Sequence, residues 1–232
     1  MSGLPWKLTL RHHFDFGPHR TLVGDNLAGP RAWDAIRSAA PPPLGQPRTR
    51  ADWERVAAAP HLIARGTAIA EFARRRGVRE LASHGVGAGY LELNIHRAAP
   101  DIDLCCTDFA PATVARLRVV FPEATVRTHD LLSDDPPSAD LHLLYRVDKD
   151  FSDDQLPRVL ARFHEPLLFV PTEPIDLKEI AREVYWRIVK RRTSAPAGWS
   201  RTESALRELW SNTHVAESVS IADMHGYLLL RG

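Results

Sequence analysis

Three glycines in the stretch Leu81 to Leu93, LASHGVGAGYLEL, have a spacing that could do chemistry: Gly85, Gly87 and Gly89 follow an apolar run and precede a helical pattern. Glycine at the end of a strand lets backbone approach a ligand closely. The free N–H groups of the helix that follows favour negative or polar ligand atoms. A dinucleotide fingerprint, G-x-G-x-x-G, needs a last glycine where Tyr90 stands, counted from Gly85, or Glu92, counted from Gly87. Nicotinamide and flavin cofactors therefore fit poorly. Two aspartates follow the next two apolar runs: Asp108 in Cys105-Cys106-Thr107-Asp108-Phe109 and Asp130 in Arg127-Thr128-His129-Asp130-Leu131. An ionised carboxylate is an acceptor only, so the pair suits a ligand that presents donors. No histidine pair at i, i+4 encloses a glutamate, and no cysteine pair has metal-binding spacing, so zinc is not supported. Cys105 and Cys106 would point to opposite faces of a strand and form no staple.

The elements that position these residues are regular from His61 onward. Helical spacing over 61–76 ends with Arg74, Arg75 and Arg76 before Gly77, basic residues on the negative end of a helix and glycine just past it. Strands are then expected at 79–84, 102–107, 124–128, 139–146 and 166–171, alternating with helices at 88–98, 110–121 and 152–163. Ser152 and Gln155 have the spacing of a capping box. Such alternation predicts a parallel sheet with right-handed crossovers, whose ligands lie beyond the carboxyl ends of the strands. A helix over 176–192 follows, then a loop through Pro196 and Gly198 and a helix with Ser200 and Glu203 as its capping box. The last strands, 214–221 and 225–231, are joined by Ala222-Asp223-Met224, too short for a crossover and right for a hairpin. The expected fold is α/β: a seven-stranded, doubly wound, mostly parallel sheet with a C-terminal antiparallel hairpin. Residues 1–60 read as an arm or lid with short helices near 30–38 and 50–58. Residues 61–232 read as the main domain, with 173–212 as an insert covering the substrate.

A G-x-G-x-G loop followed by acidic residues at the ends of the next two strands resembles the class I S-adenosylmethionine-dependent methyltransferases. The likeness runs motif by motif from His61 to Thr172, and in topology through the terminal hairpin. It implies a Rossmann-like fold, S-adenosylmethionine as cofactor, and methyl transfer to oxygen or nitrogen of a small molecule. It also implies that Asp108 accepts both ribose hydroxyls with Phe109 against the adenine. Asp130 would accept from the adenine amino group, with the Leu131 amide near a ring nitrogen. Ser83 stands where the family has Asp or Glu near the methionine amino group, and Ser83, His84 and Tyr145 complete the expected cofactor lining beside Gly85, Gly87 and Gly89. Methyl transfer from a sulfonium is an in-line displacement that needs a base only if the acceptor must lose a proton. Candidates at the crevice are Tyr145 and Arg146 after the fourth strand, Glu173 after the fifth, and His13 or its neighbour His12 if the arm folds over. Each has a plainer reading: Tyr145 as a packed strand end, Arg146 as the partner of Asp148 or Asp150, and His142 as a hydrogen-bonded core residue. Asp148 and Glu173 are the only carboxylates placed for a hard cation, and no metal is expected.

Composition narrows the partners. Over 232 residues, 44% are hydrophobic and 25% charged, as in an ordinary globular domain. Thirty Lys and Arg nearly cancel 29 Asp and Glu, a net charge of +1, so nucleic acid is not an expected partner. The clusters Arg74–Arg76 and Lys190–Arg192 lie at helix C-termini, where cations are favoured without any partner. No apolar run approaches the roughly 18 residues of a spanning helix, and Met1 to Phe16 has no apolar core of a signal peptide. A cytoplasmic location, without membrane attachment, is expected. Two other enzymes remain as alternatives, an RNA methyltransferase with a continuous basic face and an aminopropyl transferase with extra carboxylates. The third is a non-catalytic relative, which Ser83 keeps open. The oligomeric state is not legible.

Overall fold

The computed structural model describes residues 6–22, 30–39 and 45–232, so part of the proline-rich stretch 40–47 lies outside the described residues. The main sheet contains parallel β2 (Glu80–His84), β3 (Asp103–Asp108), β4 (Thr125–Thr128), β5 (Leu141–Tyr145) and β6 (Leu167–Val170). It closes with the antiparallel pair β8 (His214–Ile221) and β9 (Met224–Arg231), in the order β4-β3-β2-β5-β6-β9-β8. This is the seven-stranded arrangement that the alternation predicts. Strand order reverses between β2 and β5, the switch point at which such sheets open a ligand crevice.

Both faces of the central strands are buried, which is why β6 reads as an unbroken apolar run, Leu167 to Val170. Alternate residues feed two cores. Leu81, Leu143, Leu168 and Leu228 pack with α3 (Pro60–Arg75), α4 (Tyr90–Ala98) and α5 (Pro111–Val120) on one face. Leu144, Leu167, Phe169 and Leu229 pack with Leu156 and Leu160 of α6 (Leu156–Leu160), Phe163 and Trp210 on the other. The expected capping box is formed: the Ser152 N–H donates to Gln155 Oε1 at 3.0 Å and the Gln155 N–H to Ser152 Oγ at 3.3 Å. α2 (Arg50–Ala57) is locked onto the sheet domain by Trp53, fully buried, whose Nε1 donates to the Ala88 carbonyl at 2.7 Å.

The N-terminal arm and the insert depart from expectation, and they do so together. Residues 194–201, expected as a loop, form β7 (Ser194–Arg201), which pairs antiparallel with β1 (Thr9–Asp15). Pro196 and Gly198 suggested a loop, but a two-stranded sheet has edges where a missing N–H is tolerated. The register shifts between His12, opposite Gly198, and His13, opposite Pro196. The following helix is α8 (Glu203–Glu208), and its cap is Thr202, whose Oγ1 accepts from the Ala205 N–H, instead of Ser200, which lies in β7. α7 (Leu177–Ile188) is shorter than the expected 176–192 and is capped by Asp176, which accepts from the Glu179 N–H at 2.8 Å. α1 (Pro30–Ala39) completes the cap, with Ile36 buried against Phe16, Ala195 and Ala197. Buried Arg201 ties β7 to the loop after β5, donating to Asp153 at 2.6 Å and to the Asp148 carbonyl at 2.9 Å.

Candidate functional site

The glycine loop adopts the conformations only glycine takes readily: φ is 67° at Gly85, 57° at Gly87 and 68° at Gly89, the N-cap of α4. The Gly85 N–H holds the loop to β3 by donating to the Thr107 carbonyl at 2.8 Å. Asp108, at the end of β3, is buried against this loop. Its Oδ2 accepts from the Gly87 N–H at 2.8 Å, and its Oδ1 accepts from the Ala110 N–H at 2.9 Å and from Arg37 Nη1 at 3.2 Å. Arg37 reaches in from α1 and also donates to the Thr113 hydroxyl. A cleft of about 220 Å³ opens here, lined by Gly85, Asp108, Phe109, Leu131, Tyr145 and Arg146 among the expected residues.

Other expected residues lie elsewhere. Ser83 is fully buried beneath the loop and donates to Glu92 Oε1 at 2.8 Å. Burial pushes the Glu92 carboxyl up to about 7, against the Ser83 hydrogen bond. His84 does not line the cleft. Its ring points into the other core, meeting the Thr107 hydroxyl and His142 Nδ1, each at 3.0 Å. Burial holds His84 well below the ordinary histidine value and also lowers His142, which is the hydrogen-bonded core residue expected. Asp130 is likewise absent from the cleft lining, and its Oδ1 accepts from the Leu132 N–H at 2.9 Å. Tyr145 lines the cleft with its hydroxyl accepting from Arg65 at 3.0 Å. Arg146 has φ 58° and donates to Glu173 at 2.8 Å, so neither Asp148 nor Asp150 is its partner. Asp148 is buried, and its Oδ1 accepts from the Thr172 N–H at 2.7 Å.

A second cavity of about 390 Å³ adjoins the cleft, sharing Arg146 and Lys149 with it. Its remaining lining comes largely from the cap: His12 and Phe14 of β1, Glu179, Arg182 and Trp186 of α7, and Ser200 of β7. β7 passes so close to the loop after β5 that a Cβ at Gly198 would collide with the Lys149 carbonyl. His12 Nδ1–H donates to Glu183 Oε1 at 2.8 Å, and the His13 backbone N–H donates to Oε2 at 2.8 Å. Burial opposes the charge on Glu183, but these bonds outweigh it and hold its carboxyl below the ordinary value. A charged carboxylate on Nδ1 leaves Nε2 of His12 as the lone-pair nitrogen. His13 does not line either cavity; its ring lies against the Arg11 carbonyl and Arg187.

Sequence reasoning did not single out Trp33, Arg37, Lys149 or Glu183. All but Lys149 lie in the arm or the insert, and the partnership of those two segments leaves no local signal. The surroundings of Asp108 nonetheless fit an adenosyl cofactor: a buried carboxylate acceptor beside a glycine loop, at a cleft that Phe109 and Leu131 also line. Residues 44–169 match the O-methyltransferase domain family. Among solved structures, human N-acetylserotonin methyltransferase in complex with SAM is similar with TM-score 0.56 and 18% identity, over 79% of this chain and 56% of that one. The mitomycin 7-O-methyltransferase MmcR gives TM-score 0.56 and 19% identity over 79% and 57%. PigF with SAH gives 0.59 and 18% over 79% and 58%. The chain thus spans less than two thirds of the length of these structures, and at such identities the likeness is one of fold. No curated protein matches the sequence. With more than half of its length matched and the fold in agreement, the chain belongs to the O-methyltransferase domain family.

Proposed function

We propose that the protein transfers a methyl group from S-adenosylmethionine to a small-molecule acceptor. The observation that carries this reading is the buried Asp108 carboxylate beside the glycine loop, opening into a cleft that adjoins a second, aromatic cavity. When bound, the cofactor supplies a methyl group already activated on a sulfonium. Asp108 holds the ribose hydroxyls, and Phe109 and Leu131 flank the purine. Phe14 and Trp186 bracket the acceptor in the second cavity, while Arg146 and Lys149 stand at the junction, placed for negative charge developing on its oxygen. His12, aligned by Glu183, takes the proton of an acceptor hydroxyl at Nε2. The small acceptor is favoured over RNA because the first basic cluster is internally paired: Arg74 with Asp101, Arg75 with Glu71 and Arg76 with Glu217. Cys105 and Cys106 are unpaired, in keeping with a cytoplasmic location.

The test is transfer of a labelled methyl group from S-adenosylmethionine to a panel of hydroxylated aromatic compounds. At least one acceptor is expected to be labelled, with His12→Gln lowering kcat by about 100-fold. Unchanged kcat in His12→Gln would exclude it as the base, and no binding of cofactor by folded wild type would refute the reading.

A further inference from the structure

A surface helix ordinarily turns its apolar stripe to the core and its charges to water. α7 does the reverse. Its inner face carries Glu183, buried and bound to His12, while Glu179, Arg182 and Trp186 line the second cavity. Leu177, Val184, Tyr185, Ile188 and, just past the helix, Val189 are 47% to 68% exposed. Ala181 is exposed as well. Leu177, Ala181, Val184 and Ile188 stand at i, i+4, i+7 and i+11, so they form one stripe over about three turns, with no charge inside it. Single exposed apolar residues are ordinary, but a contiguous row of this kind marks a contact surface.

We propose that a second copy of the chain docks on this stripe, with its α7 antiparallel to the first. A two-fold dimer uses the same patch on both sides, so the patch must complement itself. The stripe does so when the helix is reversed. Leu177 of one copy meets Ile188 of the other, and Ala181 meets Val184 beside the axis, where the small alanine lets the backbones approach. The charges at the helix ends fit the same arrangement. Glu173 and Asp176 are exposed at the amino end, and Arg191 and Arg192 at the carboxyl end. Antiparallel pairing lays acid beside base at both ends and opposes the two helix dipoles. An anionic lipid surface fits less well, since it would attract the arginines and repel the carboxylates at the other end of the same stripe. Twelve residues make a helix of about 18 Å. The contact therefore belongs among the smallest specific interfaces, and the dimer is a reversible one.

The experiment is sedimentation equilibrium of the full chain from about 1 to 300 μM, the span in which a small interface assembles. The mass of wild type is expected to rise from 26.0 kDa toward twice that value. Val184→Asp and Ile188→Asp, each checked by a thermal melt, are expected to remain monomers throughout. Arg191→Glu combined with Arg192→Glu is expected to weaken the dimer by about tenfold or more. The antiparallel register has its own readout, which does not depend on those variants folding. Under oxidation, a mixture of Leu177→Cys and Ile188→Cys proteins is expected to cross-link, whereas neither alone does so beyond wild type. A wild type that stays monomeric at every concentration would overturn the proposal, as would a dimer that persists in folded Val184→Asp. A monomer that co-sediments with phosphatidylserine vesicles, but not with phosphatidylcholine vesicles, would assign the stripe to a membrane surface and overturn it too.

Discussion

Asp108 accepts three donors in this structure, and only two of them belong to the fold around it. The Gly87 and Ala110 amides are backbone and remain, whereas the Arg37 guanidinium comes from α1. A carboxylate has about four lone-pair sites, so in the proposed complex two ribose hydroxyls and Arg37 would compete for the two that the amides leave. Arg37→Ala is therefore expected to tighten S-adenosylhomocysteine binding several-fold, measured by calorimetry. Weaker binding would show that the guanidinium itself holds the ligand. Glu92 gives the second test at this scale. Its carboxyl titrates near 4.5 in an unfolded chain and at about 7 when buried, so the neutral form stabilises the fold. That contribution is present in full below pH 4.5 and is lost as the pH rises through 7. Glu92→Gln keeps an acceptor for Ser83 without the charge. Chemical denaturation is expected to show it gaining about 3 kcal/mol on wild type between pH 4.5 and 8. A difference independent of pH would mean that Glu92 stays ionised.

At the scale of elements, local patterning carried the reading as far as local physics acts. β2, β3, β5 and β6 are short, mostly buried runs between helical patterns, and their burial on both faces makes that pattern legible. The glycine loop and Asp108 were legible for the same reason, since a strand, a tight turn and a helix start are neighbours in sequence. β1 and β7 were not legible. Their pairing joins Thr9 to Arg201 across most of the chain, and Pro196, Gly198 and the adjacent histidines hide any alternation. The Glu183 contact with His12 was equally hidden, because it exists only once β1 lies on α7. His84 failed as a cleft residue through the period of the strand: Ser83 and His84 must face opposite sides of the sheet, and neither side is the cleft. The pairing also yields a prediction. Gly198→Ala places a Cβ against the Lys149 carbonyl and should push β7 outward. It is expected to weaken acceptor binding, raising its KM, while S-adenosylhomocysteine affinity stays near wild type. An unchanged KM would mean that the cap does not shape the acceptor cavity.

At the scale of the molecule, one sheet carries the cleft beside Asp108, the cap built from the two least regular segments carries most of the second cavity, and the proposed reaction would place the cofactor in the first and the acceptor in the second. Both cavities meet at Arg146 and Lys149, on the loop that leaves β5 at the switch point of the strand order. Among the described residues, no helix is long and apolar enough to cross a membrane. The proposed function stands or falls with Asp108, the carboxylate assigned to the cofactor's ribose. The most direct measurement is the calorimetric dissociation constant of S-adenosylhomocysteine for wild type and for Asp108→Ala, with a thermal melt to show that the variant is folded. Two hydrogen bonds to a charged acceptor predict a loss of about 100-fold or more. Equal affinity in the two folded proteins would contradict the account.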